Sequence, residues 1–295
     1  LDCVILGVAI SFSIKQNIYL EFNNFNKKII KDLFEDEAIS IIGFDLKFTI
    51  KALIRHNITK ISGSLFDIQI AYHLLYPDRR NSLDVICENY LDKTLTEKHV
   101  FLGKGKTKLL FSDLDKGKAA HYACERSNVM FDLSKILQEE MAEKKLTELF
   151  TNIEIPLSMV LAKMEMEGIS LDVKMLTAFS AELTKELSLI TKKIYVLADE
   201  EFNVTSTKQL GKIIFEKMNL DKKPKKTKSG QYSTSEETLL KLKDVHPIIN
   251  KILSFRGIKK LLSTYVDALP KIINNNTQKI HTTFNQSVAS TGRLS

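Results

Sequence analysis

The residues best placed to do chemistry lie in the second half of the chain. Lys222-Lys223-Pro224-Lys225-Lys226-Thr227-Lys228-Ser229-Gly230 is a basic loop without an apolar anchor, set between two helix starts. The starts are Ser206-Thr207-Lys208-Gln209 and Thr234-Ser235-Glu236-Glu237, each with the hydroxyl and the Gln or Glu three residues later that a capping box uses. Helix N-termini offer free N–H donors and the positive end of a dipole; hydroxyls and lysines add more donors, and all suit phosphate. Taken alone the loop could be a nuclear-localisation-like patch or plain disorder. Its place between two capped helices favours a grip on a sugar–phosphate backbone, with Lys225 and Lys228 flanking the loop tip. Asn203 and Ser206 sit at the first helix start, and Ser233 and Thr234 lead into the second. Arg256 and Lys260 are four residues apart on one helix face, so both can reach one strand. For Ser206 and Thr234 simple capping is compatible with phosphate contact. For Arg256 the competing role is a salt bridge to a neighbouring acid.

Charge follows the same division. Lys plus Arg is 43 and Asp plus Glu is 36, a net of +7. From Asn203 onward there are 17 basic and 6 acidic residues, and the first 202 residues hold 26 basic and 30 acidic. On charge alone, a polyanion partner and a lysine-rich solvated surface explain this balance equally well. Other chemistries find little support. Cys3, Cys87 and Cys124 are widely spaced and the six histidines show no paired spacing, which argues against a disulfide framework or a zinc site and for a reducing, cytoplasmic setting. Lys104-Gly105-Lys106 is half of a phosphate loop without the surrounding pattern and reads as a solvated turn. The best apolar run, Val4 to Ile10, is strand-length, so no membrane span is expected, and Leu1-Asp2 gives no basic start for a signal peptide.

The elements that must position these residues divide into two kinds. Val4–Phe12 and Asn17–Phe22 read as strands joined through Lys15-Gln16, Lys27–Glu37 as a helix, and Ser40–Gly43 as a short strand. Leu46–His56, Phe66–Leu75 and Leu83–Tyr90 show helical spacing, the last two separated by Pro77-Asp78. Strands interleaved with helices predict an α/β domain on a mixed sheet over residues 1–150. Beyond it the periodicity is helical throughout: Lys118 to Lys144 ends the first domain, Ile153 to Gly168 follows, and Asp172 caps a helix reaching Glu201. Residues 151–295 are therefore expected to be mainly α-helical, with the boundary near Thr151.

Phe202 to Leu210 followed by Ile214-Phe215-Glu216-Lys217 resembles the thumb of bacterial family A DNA polymerases. So do Lys225 to Gly230 leading into Tyr232-Ser233-Thr234-Ser235, Phe255-Arg256-Gly257 with Lys260 to Tyr265, His281 to Gln286, and Thr291-Gly292-Arg293-Leu294-Ser295. Ile153 to Leu157 through Met164-Glu165 and Gly168 is similar to the helix that opens that polymerase domain. More weakly, Gly43 to Phe48, Phe66-Asp67 and Tyr122-Ala123-Cys124-Glu125 resemble the family's 3′–5′ exonuclease domain, which has a ribonuclease H-like fold.

The resemblance implies a piece of a DNA-directed DNA polymerase that acts in replication and repair. It would be a cytoplasmic, nucleoid-associated monomer, with duplex primer–template as partner. Deoxynucleoside triphosphates and Mg2+ would serve the full-length enzyme by two-metal chemistry. Its metal ligands would follow Ser295, so no metal is expected on this piece, and none of its residues would be catalytic. The DNA contacts implied are Asn203, Ser206, Lys208, Lys225, Lys228, Ser233, Thr234, Arg256, Lys260, Asn285, Gln286 and Arg293. Arg293 would reach minor-groove acceptors shared by every correct base pair at the primer terminus.

In the exonuclease-like part the resemblance implies a vestigial site. An active member uses four carboxylates from three motifs, and a Tyr that orients the attacking water; the first motif would precede Leu1. In the second, Thr49 stands where a metal-linked Asp belongs, and a neutral hydroxyl does not replace an anionic ligand. Asp45, four residues earlier, could face the same cleft. In the third, Tyr122 is kept but Arg126 stands at the ligand Asp, and its charge would repel metals. The alternative is an active 3′–5′ exonuclease with a DNA-binding helical arm, in which Glu125 serves instead.

Overall fold

The computed structural model describes residues 4–13, 16–105 and 108–295, so Cys3, Lys15 and Lys106 lie outside it. The chain forms two compact units. One comprises the residues up to Gly168 together with His281–Ser295, the other Ile169–Ile280.

The first unit opens with an antiparallel hairpin of β1 (Gly7–Ser13) and β2 (Gln16–Glu21), Gly7 opposite Glu21, with the register shifting between Ser11 and Ser13. Helix α1 (Asn24–Glu35) is capped by Asn23, whose side chain accepts the Asn26 N–H. β3 (Ile41–Gly43) pairs in parallel with β4 (Leu65–Asp67), and α2 (Leu46–Arg55) is the crossover that a parallel pair requires. Both strand senses of a mixed sheet are thus present, as two separate pairs among the described residues. Phe66 and Asp67, assigned to a helix by periodicity, belong to β4. The Asp67 carboxylate accepts the Gln69 and Ile70 N–H groups and so starts α3 (Ile68–Leu75) two residues later than the apolar spacing suggested.

Helices α4 (Leu83–Leu91) and α5 (Lys98–Leu102) lead to α6 (Lys116–Glu143), which buries Val129, Leu133, Leu137 and Met141 at four-residue spacing. These pack with Phe66, Ile68, Tyr72 and Phe150 in one core, each full aliphatic burial contributing about 1.5–3 kcal/mol. Helix α7 (Thr147–Leu149) continues through a π turn at Phe150–Glu154 into α8 (Ile155–Glu167), which closes on Gly168 at φ 67°. Ala162 of α8 packs against Leu46 and Ile50 of α2. That contact keeps α8 with the first unit, so compactness divides the chain after Gly168 rather than near Thr151.

The second unit begins and ends with β5 (Ile169–Ser170) paired antiparallel to β6 (Lys279–Ile280). Asp172 caps α9 (Val173–Ala198) by accepting the Met175 N–H at 2.9 Å. The helix stops three residues short of Glu201, at a left-handed Asp199 (φ 50°). Its Ile190, Ile194 and Ala198 form a core with Ile248, Ile249, Ile252 and Phe255 of α12 (Pro247–Leu261). Short helices α10 (Thr207–Lys212) and α11 (Glu236–Leu240) complete it through Leu210 and Leu239. No described helix is long and apolar enough to cross a membrane.

Candidate nucleic-acid interface

In the second unit, the lysine loop is a small hairpin. Lys226 bridges to Tyr232, Ser233 N–H bonds to the Lys225 carbonyl, and the Gly230 N–H closes a turn on the Thr227 carbonyl at 2.9 Å. Lys228 therefore stands in the turn itself and Lys225 at its base. The anchor that the loop sequence lacked is Tyr232. Its ring packs on Phe215, centroids 5.3 Å apart, and an added Cβ at Gly211 would lie 3.1 Å from the Tyr232 Cβ. Lys208, Lys225, Lys228 and Lys260 are exposed, and none makes an ion pair among the described residues.

The two caps differ in detail from their sequence pattern. Ser206 caps α10 and accepts the Gln209 N–H, but the Gln209 side chain bonds the Asn203 N–H at 2.7 Å rather than that of Ser206. The Ser206 N–H is already taken by the Asn203 carbonyl. Asn203 Oδ1 accepts the N–H and hydroxyl of Thr205. At α11 the cap is Ser235, which accepts the Thr238 N–H, and not Thr234. Thr234 is 5% exposed, and Arg256 donates to both its carbonyl and its Oγ1, the latter at 3.0 Å. Arg256 thus finds a backbone carbonyl and a hydroxyl instead of an acid. Burial lowers its pKa, with Glu236 opposing. Ser233 Oγ lies 3.3 Å from Thr238 Oγ1.

Residues 281–295 belong to the first unit and are pinned there. Phe284 N–H donates to Glu165 Oε1 at 2.8 Å, and Lys47 Nζ donates both to that oxygen at 2.5 Å and to the Phe284 carbonyl. Lys51 pairs with the other carboxylate oxygen. Burial alone would raise the Glu165 pKa, but the bonds from Lys47, Lys51 and Phe284 hold it below the ordinary carboxylate range. His281 Nδ1 lies 2.7 Å from the Glu165 carbonyl oxygen. Asn285 pairs backbone to backbone with Ser295, and Gln286 Nε2 donates to Glu154 Oε2 at 2.9 Å and to its carbonyl. Gln286 is therefore committed to Glu154. Arg293 is exposed in the loop that the Asn285–Ser295 pairing closes.

The exonuclease-like residues show where their side chains are engaged. Asp45 is the left-handed N-cap of α2 (φ 51°), its Oδ1 3.3 Å from the Phe48 N–H, and Thr49 follows it on the half-buried side of α2. Tyr122 lies edge-on to Phe101 at 5.5 Å and against Phe111 at 5.1 Å. Arg126 covers the Tyr122 ring and donates to the Thr96 carbonyl at 2.9 Å and to Glu125 at 3.1 Å. Glu125 in turn accepts the N–H and hydroxyl of Thr96. Among the described residues no three His, Cys, Asp or Glu side chains converge as a metal site would. The residues present do not fit a bound metal pair.

Comparison with known proteins decides the family. The model for DNA polymerase family A matches residues 173–295, and that for the 3′–5′ exonuclease matches residues 2–142. DNA polymerase I of Synechocystis sp. is 41% identical over 251 residues, covering 84% of this chain and 25% of that protein. The chain belongs to the family A DNA polymerases. DNA polymerase I of Geobacillus stearothermophilus is 35% identical over 261 residues, with 88% of this chain and 29% of the relative covered. The POL domain of Pol1 from M. smegmatis, in complex with DNA primer-template and dNTP, superposes with a TM-score of 0.79 at 26% identity over 95% of this chain and 46% of that one. The chain thus spans between a quarter and a third of the length of these two curated relatives.

Lys47 and Glu165 lie inside the motifs that carry the family resemblance, yet their sequence gives no sign of the work they do. Lys47 and Glu165 are 118 residues apart, and a buried ion pair has no local periodicity. For Tyr232 a signal existed: an aromatic two residues past the loop glycine, able to fold back on the helix before it.

Proposed function

We propose that this chain is the part of a DNA polymerase that grips primer–template duplex, with its exonuclease-like domain serving as a scaffold. The observation that carries the reading is the Tyr232-anchored hairpin, which presents Lys225 and Lys228 to solvent with no ion pair to either among the described residues. Lys208 and Lys260 extend the cationic surface, and Asn203, Ser206, Ser233 and Thr234 frame the helix starts between them. Arg256 orders Thr234 through two of its N–H donors and leaves the rest for phosphate. Asn285 and Arg293 form a second contact at the primer terminus, and Gln286 braces that segment on Glu154. Arg293 donates there to purine N3 and pyrimidine O2, which occupy equivalent positions in every correct pair. The contact checks base-pair geometry without reading sequence.

The whole protein extends primers by template-directed nucleotidyl transfer assisted by Mg2+, as a cytoplasmic monomer in replication and repair; deoxynucleoside triphosphates are its other substrate. Arg293→Ala tests the terminus contact. Fluorescence anisotropy with recessed 3′ duplexes should show wild type preferring a paired over a mismatched terminus, and the variant losing most of that preference, a change of about 1–3 kcal/mol. Equal preference in both proteins would refute the reading.

A further inference from the structure

We propose that Lys47 and Glu165 are positioning residues for the primer-terminus contact, acting through the backbone of Phe284. This rests on the reading that residues 285–293 meet the primer terminus. Glu165 is 2% exposed and Lys47 8%, so both charges are withdrawn from water. A buried pair of this kind adds little net stability, since desolvation offsets most of the attraction. Its directional bonds, however, hold one backbone residue at two points. The carboxylate takes the Phe284 N–H and the ammonium takes the Phe284 carbonyl. Apolar packing would let an extended segment slide by a residue, whereas this clamp fixes its register.

The next residues continue the restraint. Asn285 pairs with Ser295 through both its backbone groups, and Gln286 is held by Glu154. Arg293 lies in the loop between Asn285 and Ser295, so the frame that orients its guanidinium starts at Phe284. Lys47 stands on α2, in the stretch that resembles the second exonuclease motif. The exonuclease-like domain thereby supplies the anchor of the terminus contact through a lysine rather than through metal ligands.

Lys51 provides an internal control. It pairs with the same carboxylate without the bond to the Phe284 carbonyl that Lys47 makes, and it keeps Glu165 partnered when Lys47 is lost. The test compares Lys47→Met, Lys47→Arg and Lys51→Met in the 295-residue chain by two readouts. These are deuterium exchange at the Phe284–Gln286 amides and the ratio of affinities for paired and mismatched recessed 3′ termini. The proposal expects Lys47→Met to lose about tenfold in amide protection and most of the paired-terminus preference. Lys47→Arg, with donors for both partners, should retain at least half of each, and Lys51→Met should match wild type. If Lys47→Met does not fold, Lys47→Gln is read in its place. Preference kept in the neutral Lys47 variant while Arg293→Ala abolishes it overturns the positioning role alone. Equal losses in the Lys47 and Lys51 variants overturn it too, by showing a merely structural pair. If Arg293→Ala leaves the preference intact, the terminus reading fails and this proposal with it.

Discussion

The guanidinium of Arg126 lies over the ring of Tyr122, one helical turn back on α6, with Cζ 3.6 Å from the ring centroid. The same Arg126 bonds Glu125 and the Thr96 carbonyl. Three side chains of the exonuclease-like stretch are therefore joined to one another and to the segment before α5. A cation held this way repels a divalent ion by several kcal/mol at short separation with an effective dielectric of about 20. The arrangement cross-links α6 to the segment before α5.

Single-stranded DNA with excess Mg2+ or Mn2+ should accordingly show no 3′-end trimming above background, by gel analysis of a labelled strand. Trimming that disappears in Asp45→Ala or Glu125→Ala would mean that a nuclease site has been rebuilt.

The Tyr232 anchor predicts a separation of shape from charge. Tyr232→Ala removes the ring that packs on Phe215 but leaves every lysine in place. Duplex affinity should fall about five- to tenfold because the loop must be ordered on binding. The slope of log affinity against log salt should stay unchanged, since the same phosphates are neutralised. A changed slope with unchanged affinity at low salt would contradict the anchor's role.

Asp67 links the first unit to pH. Its carboxyl is buried, and desolvation outweighs the N–H bonds from Leu46, Ile70 and Gln69 to push its pKa up to about 6, with Asp45 adding to the rise. The unfolded value is lower, so between about pH 4 and 6 the folded chain binds more protons than the unfolded one. Its contribution therefore makes stability fall as pH rises through that window and level off above it. Urea unfolding of wild type and Asp67→Asn across this range should show the wild type losing on the order of 2–3 kcal/mol relative to the variant. A difference independent of pH would contradict the shift.

Much of the fold was legible because its signals are local. Caps at Asp172 and Ser206, the glycine stop at Gly168 and the four-residue spacing along α6 are all written within a turn or two of where they act. Errors arose where a side chain answered to a distant partner. Thr234 looked like a cap, but Arg256, 22 residues on, claims it, and Ser235 caps instead. The reach of the first unit depends on Ala162 meeting α2, a contact that no periodicity announces. Of the proposed interface, the exposed lysines could be read directly, whereas the Glu165 clamp under Phe284 required three separate segments to be brought together.

On the proposed reading, the cationic hairpin and its neighbours hold duplex through phosphates. The most direct measurement is the affinity of the 295-residue chain for recessed primer–template as salt is raised, compared with a Lys225→Ala, Lys228→Ala, Lys260→Ala triple variant. Four to six neutralised phosphates give an expected log–log slope of about −4 to −5, at roughly −0.9 per phosphate, and the triple variant should flatten it by about 2 to 3. Binding that is independent of salt, or identical in the triple variant, would contradict the account.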